Sequence, residues 1–149
     1  MPEESTTALL NILSHTSSEE IDKFCKEHLD KSGSIIEYFN NFTNPDKGGI
    51  SPAAVAKNCA AYMSKSYVYD LLNGQKSNPS RDKLLLICFS LHMNSKQTRR
   101  TLEMFGHRPL YPKDKRDMII SICINEKIWD IDKVNEKLAT HGEIIFPYI

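Results

Sequence analysis

Two groups of residues in this 149-residue chain have types and spacings that could do chemistry. Cys25 and His28 stand three apart on a helical pattern, which puts a thiol and an imidazole on one face where both could ligate a metal. Two ligands do not make a structural zinc site, and no second pair lies at a fitting distance. The expectation is a core thiol and imidazole on an apolar stripe, with no metal. The second group is basic. Residues 62–116 carry eleven lysines and arginines against four acids, a charge of +7, between segments 1–61 at −4 and 117–149 at −3. A block of that size has the electrostatic footprint of a phosphate-binding face, although lysine-rich solvated helix surfaces give the same count.

No phosphate-binding glycine loop, dinucleotide fingerprint, nucleophile elbow or H-E-x-x-H pair occurs. His92, His107 and His141 fall at expected helix ends, where imidazole complements the macrodipole, and the carboxylates form no cluster. No enzyme, cofactor or metal is expected. Cys25, Cys59, Cys88 and Cys123 are spread singly with no C-x-x-C pair, which points to reduced, buried thiols. No apolar run approaches the ~18 residues of a membrane span, and Met1-Pro2-Glu3-Glu4 is acidic where a secretory signal would be basic. A cytoplasmic protein with no membrane partner is the expectation. Hydrophobic residues at 40% and charged residues at 26% fit a globular domain.

The elements that must position the basic residues all read as helices. Ala8 to Leu13 form a short apolar turn or helix. Thr16-Ser17-Ser18-Glu19-Glu20 has the spacing of a capping box, ahead of a stripe of Ile21, Phe24, Cys25, His28 and Leu29. Ser32-Gly33-Ser34 is read as the end of that helix and the cap of the next, with Ile35, Ile36, Phe39 and Phe42 inward. Asn44-Pro45-Asp46-Lys47-Gly48-Gly49 is the strongest break. Ser51-Pro52 then opens an alanine-rich helix over Ala53 to Ala61. Ser64 caps a helix from Lys65 to Asn73, with Val68, Leu71 and Leu72 inward and Gly74 as its stop. Ser80 begins a helix whose Leu84-Leu85-Leu86-Ile87-Cys88-Phe89 run is apolar all round and therefore central. Asn94-Ser95 caps another that runs to Phe105. Met118 to Cys123 form a strongly apolar helix, and Asp130 caps the last, with Ile131, Val134 and Leu138 inward. The apolar tail Ile144 to Ile149 docks on a core or on a second subunit.

Helix, turn, helix from Ser51 to Asn73, followed by a central apolar helix, is a helix-turn-helix plan. Met63-Ser64-Lys65-Ser66-Tyr67-Val68-Tyr69-Asp70-Leu71-Leu72-Asn73-Gly74-Gln75-Lys76-Ser77-Asn78-Pro79-Ser80 resembles the signature of Xre-type (phage-repressor, Cro-like) DNA-binding domains. The resemblance covers about residues 34–106. The flanks, Ala8 to Asn40 and Pro109-Leu110-Tyr111-Pro112 to Ile120, resemble a group of bacterial Xre-type proteins with extra N- and C-terminal helices. Two features depart from the family pattern. Ala61-Tyr62 stands where a small residue is usual, in a connection about two residues longer than the common 3–4-residue turn. Asp70 stands where a basic or neutral residue is typical.

The resemblance implies an all-α fold with a lambda-repressor-like five-helix core over 34–106, an N-terminal helical arm over 1–33 and a C-terminal extension over 107–149 that serves dimerisation or partner contact. It implies sequence-specific binding of double-stranded DNA by a transcriptional regulator, with the 64–73 helix in the major groove. The base-reading candidates are Lys65, Ser66, Tyr69 and Asp70; the phosphate candidates are Ser51, Ser64, Lys76, Asn78 and Arg81. Tyr67 is expected to pack and Ser80 to cap. Arg116 beside Asp117 reads as a surface pair. The alternative is a protein-interaction adaptor or antitoxin-like subunit with a degenerate helix-turn-helix, which zero net charge and Asp70 favour. Partners are thus DNA, a second copy in a homodimer, or another protein.

Overall fold

Seven consecutive side chains of one helix, Leu84 through Ser90, are buried, six of them within the single hydrophobic core. The computed structural model describes residues 6–23, 32–76 and 78–149. The described residues form α1 (Thr6–Ser14), α2 (Ser32–Thr43), α3 (Pro52–Asn58), α4 (Lys65–Leu72), α5 (Arg81–Ser90), α6 (Ser95–Met104), α7 (Lys115–Asn125) and α8 (Ile131–Thr140), with 3-10 turns at Ser18–Glu20 and Pro45–Lys47. No strand occurs among them, so the fold is all-α. No described helix is long and apolar enough to cross a membrane.

The helix starts follow from side-chain chemistry. The oxygens of Ser51, Ser64, Ser80, Asn94, Asp114 and Asp130 each accept a backbone N–H of the helix that follows. Each thereby satisfies one donor that has no intrahelical partner. At α6 the box closes both ways, since Gln97 Oε1 also accepts the Asn94 N–H at 2.9 Å. Glu20 accepts from the Ser17 N–H and hydroxyl in the same manner. Gly74 sits at φ +76° just past α4, a left-handed conformation that side-chain-bearing residues resist.

From Leu84 to Phe89 α5 has no polar side chain to offer water, which makes that stretch central: α3 and α6 pack on α5, and α7 packs on α6 and α8. Ser90 is its one buried hydroxyl. It accepts from Asn58 Nδ2 at 2.9 Å and meets Cys59 Sγ at 3.1 Å, tying the end of α3 to the end of α5. A single buried cluster runs from Ile35 to Phe146, so residues on both sides of position 106 share one core. Cys59, Cys88 and Cys123 are free thiols inside it. Burial pushes Cys59 up to about 11 and Cys88 up to about 12, so both stay protonated and inert.

The tail docks on its own chain. Phe146 is fully buried, edge-on to Phe89, and its backbone exchanges two hydrogen bonds with the Asn135 amide at 2.8 and 3.0 Å. Beyond it, Tyr148 stacks on Tyr62 at 4.9 Å and the Ile149 N–H donates to Ala61 O at 3.0 Å. The Tyr62 hydroxyl donates to the Asp132 carboxylate, and burial together with that bond raises its pKa.

Four expectations change. Ser32-Gly33-Ser34 is already helical rather than a break, since one glycine costs a helix only about 1 kcal/mol and packing of Ile35 and Phe39 outweighs that. Ile36 faces solvent, one position out of phase with those two. The alanine-rich helix ends at Asn58, and Cys59 to Met63 form turns in which Tyr62 and Met63 turn inward. Arg116 and Asp117 do not pair with each other, as neighbours on a helix point away from one another. Phe24, Cys25, His28 and Leu29 lie outside the described residues.

Candidate nucleic-acid interface

α3 and α4 are packed together and joined by the six residues Cys59–Ser64, longer than the usual helix-turn-helix connection. Tyr62 and Met63 account for the extra length: both are buried, and Tyr62 is anchored to α8 through Asp132. α4 turns Val68, Leu71 and Leu72 into the core, which leaves Lys65 and Ser66 exposed and Tyr69 and Asp70 half-exposed. The four base-reading candidates therefore share the outer side of one helix. Lys65 Nζ lies 5.8 Å from the centre of the Tyr69 ring, so this pair covers part of that side.

Ser64, exposed at the start of α4, uses its oxygen to accept the Tyr67 N–H at 3.1 Å and keeps its hydroxyl proton free to donate. Ser51 does the same for Ala54 at the start of α3. Asn78 is exposed in the loop after α4, and Ser77 beside it lies outside the described residues.

Two ammonium groups converge on Tyr67. Lys76 Nζ lies 5.1 Å and Lys83 Nζ 4.1 Å from its ring centre, within cation–π range. The ring is half-buried, and that burial raises its phenol pKa. Tyr67 thus serves as an apolar plate against which two cations are held, close to the outer side of α4. Lys83 was not singled out from the sequence. The signal available was its place at the third position after the Ser80 cap, where it starts α5 beside the loop of Lys76 and Asn78.

Arg81 has a different role from the one expected of it. Its Nη1 and Nη2 grip Asp117 at 2.9 Å each, Nη2 also donates to Pro109 O at 3.0 Å, and Nε donates to Arg108 O at 3.1 Å. Four of its five N–H bonds are consumed. The Asp117 side chain is 1% exposed and that of Arg81 16%. A guanidinium so occupied is a structural bracket between α5 and α7, not a phosphate ligand.

Burial opposes ionisation of Asp117. The hydrogen bonds from Arg81 and the Tyr111 N–H, with the charges of Arg81 and Arg108, outweigh it and hold the carboxyl below its ordinary value. A second bracket lies alongside. Arg116 grips Asp82 through Nη1 and Nη2 at 2.9 and 3.1 Å, donates to Ile144 O and covers the Phe146 ring.

These brackets redistribute the basic block. Arg81 and Arg116 are neutralised inside the fold, Arg99 pairs with Glu103 on α6, and Lys115 donates to His141 O. Lys65, Lys76 and Lys83 are held near the aromatic rings of α4, and no carboxylate among the described residues is seen within ion-pair distance of them. No group of three or more His, Cys, Asp or Glu that could hold a metal occurs among the described residues. His92 stacks on Trp129, and His107 Nε2 donates to Pro79 O at 2.8 Å. Compared with protein-family models, curated proteins and solved structures, the chain matches none.

Proposed function

We propose that the chain binds double-stranded DNA as a transcriptional regulator of the Xre-like helix-turn-helix type, with α3 and α4 as the helix pair and α4 in the major groove. The observation that carries this reading is the convergence of Lys76 and Lys83 on the Tyr67 ring, beside an α4 surface formed by Lys65, Ser66, Tyr69 and Asp70. Cations held together without carboxylate partners favour an anionic ligand, and a regular polyanion offers several phosphates at the spacing of such a face. Lys76, Lys83, Asn78 and the free hydroxyl protons of Ser51 and Ser64 hold phosphates. Lys65, Ser66 and Tyr69 meet base edges, and Asp70 accepts from a cytosine amino group. Met118 and Ile122, one turn apart on α7, remain exposed, and a second copy covers them in a dimer that reads two half-sites about one helical turn apart.

The test is selection of bound fragments from a random duplex pool at moderate salt, with the mass of the complex measured in parallel. The expected result is an enriched motif, palindromic for a dimer. On that motif, Lys76→Ala with Lys83→Ala should make the slope of log K against log salt shallower by about 1.8 per bound subunit, hence about 3.6 for the dimer, at about 0.9 for each lost phosphate contact. No enrichment and no salt-dependent binding would overturn the reading in favour of a protein adaptor that keeps the helix pair.

A further inference from the structure

We infer that the nucleic-acid face continues beyond residue 106 onto the loop after α6, where Arg108 is a phosphate contact held in place by the Arg81–Asp117 bracket. This rests on the DNA-binding reading above and extends it to a segment that otherwise looks like a dimerisation or partner module.

The loop is strapped to the end of the loop after α4. His107 Nε2 donates to Pro79 O at 2.8 Å, and Arg81 donates to Arg108 O at 3.1 Å and Pro109 O at 3.0 Å. Pro79 and Arg81 flank Ser80, which lies two residues after Asn78 and three before Lys83. The backbone of residues 107–109 therefore runs beside the phosphate candidates rather than away from them. On the far side, the Tyr111 N–H donates to Asp117 Oδ2 at 3.0 Å, so the loop is fixed at both ends by the same carboxylate and its guanidinium partner.

The Arg108 side chain is 65% exposed and projects from this fixed backbone. Its nearest carboxylate oxygen is Asp117 Oδ2, 4.0 Å from Nη2. That oxygen already accepts from Arg81 and Tyr111, so Arg108 is attracted to it without being consumed. Arg81 balances the charge of Asp117, and the trio of Arg81, Asp117 and Arg108 carries one surplus positive charge, located on Arg108. A planar guanidinium with free donors on a rigid loop suits bidentate phosphate binding. Lys65, Lys76, Lys83 and Arg108 then form a cationic track to which the C-terminal extension contributes one member.

The experiment compares the full-length chain with Arg108→Gln and Arg108→Lys on the duplex enriched in the selection, measuring affinity between 50 and 200 mM salt. For Arg108→Gln the salt slope should become shallower by about 0.9 per bound subunit, hence about 1.8 for the dimer, so that over a fourfold rise in salt the dimer loses about 12-fold less affinity than the parent chain. Affinity should fall evenly across sequences, and the melting curve should move only slightly, because a side chain 65% exposed and 4.0 Å from Asp117 makes no more than a weak, solvent-screened pair. Arg108→Lys should restore the slope, a rescue that a merely structural role would not give. An unchanged slope in Arg108→Gln, with Lys76→Ala and Lys83→Ala still making it shallower, would overturn the Arg108 assignment alone. Absence of binding by the parent chain would overturn the DNA reading and this extension together, before any variant is made.

Discussion

Replacing Asp117 by asparagine should destabilise the fold by about 3 kcal/mol, the lower end of the range for breaking a buried ion pair. The carboxylate is 1% exposed and accepts two bonds from Arg81 at 2.9 Å and one from the Tyr111 N–H at 3.0 Å. Asparagine keeps the shape and one acceptor but leaves Arg81, itself only 16% exposed, with an uncompensated charge. Because Arg81 retains some water, the cost falls at the low end of the range. For a domain near 150 residues that corresponds to a loss of roughly 6–12 °C in Tm. Urea denaturation should show a lower midpoint at an unchanged m-value.

Arg81→Met should cost a comparable amount. The pair Arg81→Met, Asp117→Leu should cost much less than the sum of the single changes, since a buried pair replaced by apolar groups leaves no charge stranded. The pH dependence has a definite sign. Arg81, Tyr111 N–H and Arg108 outweigh burial and place the folded-state pKa of Asp117 below its ordinary 3.8. Its contribution is therefore complete above about pH 4 and fades as pH falls through the lower folded value. The gap between the parent chain and Asp117→Asn should shrink across that acid window. The reasoning fails if Arg81→Met costs under about 1 kcal/mol while making the DNA salt slope shallower, because Arg81 would then be a phosphate ligand.

Phe146→Ala should cost about 3–5 kcal/mol by the cavity left beside Phe89. Limited proteolysis should then cut the tail near Pro147, and a loss under about 1 kcal/mol would mean that the tail is not part of the core. Lys127→Gly should stabilise by up to about 1 kcal/mol, because Lys127 sits at φ +58° just past α7, where a side chain costs roughly 1–2 kcal/mol and glycine's extra unfolded freedom takes back part of the gain. A lower urea midpoint in that variant would refute the argument.

The all-α class and most helix starts were legible because their signals are local. A cap oxygen reaches an N–H three residues on, so Ser51, Ser64, Ser80 and Asn94 could be assigned from spacing alone. The apolar run of α5 announced its central place without knowledge of its neighbours. The turn from Cys59 to Ser64 was less legible. Its extra length is stabilised by Tyr62 contacts to Asp132 and Tyr148, which lie 70 and 86 residues later and leave no local trace. Ile36 misled for the opposite reason, since adjacent isoleucines at the edge of a stripe give period counting nothing to separate them.

The candidate site was legible where it depends on one helix and illegible where two elements meet. Lys65, Ser66, Tyr69 and Asp70 share the outer side of α4 because helical periodicity requires it. Arg81 looked like a loop-end cation because nothing near it in sequence could neutralise it.

The clue lay at the other end of the pair. Asp117 stands three and seven residues before Ile120 and Ile124, both buried, which puts it on the inner stripe of α7. A carboxylate in that phase must find a buried cation, and Arg116 points off that stripe. Followed through, the phase of Asp117 requires a partner from another helix, and Arg81 at the start of α5 is the one that reaches it. Charge counted along the chain therefore overstates the cations that a proposed binding face could use. Two of its arginines, Arg81 and Arg116, pair with Asp117 and Asp82 across helices, and the proposed face rests on the lysines near Tyr67 and Tyr69, with Arg108 beyond them.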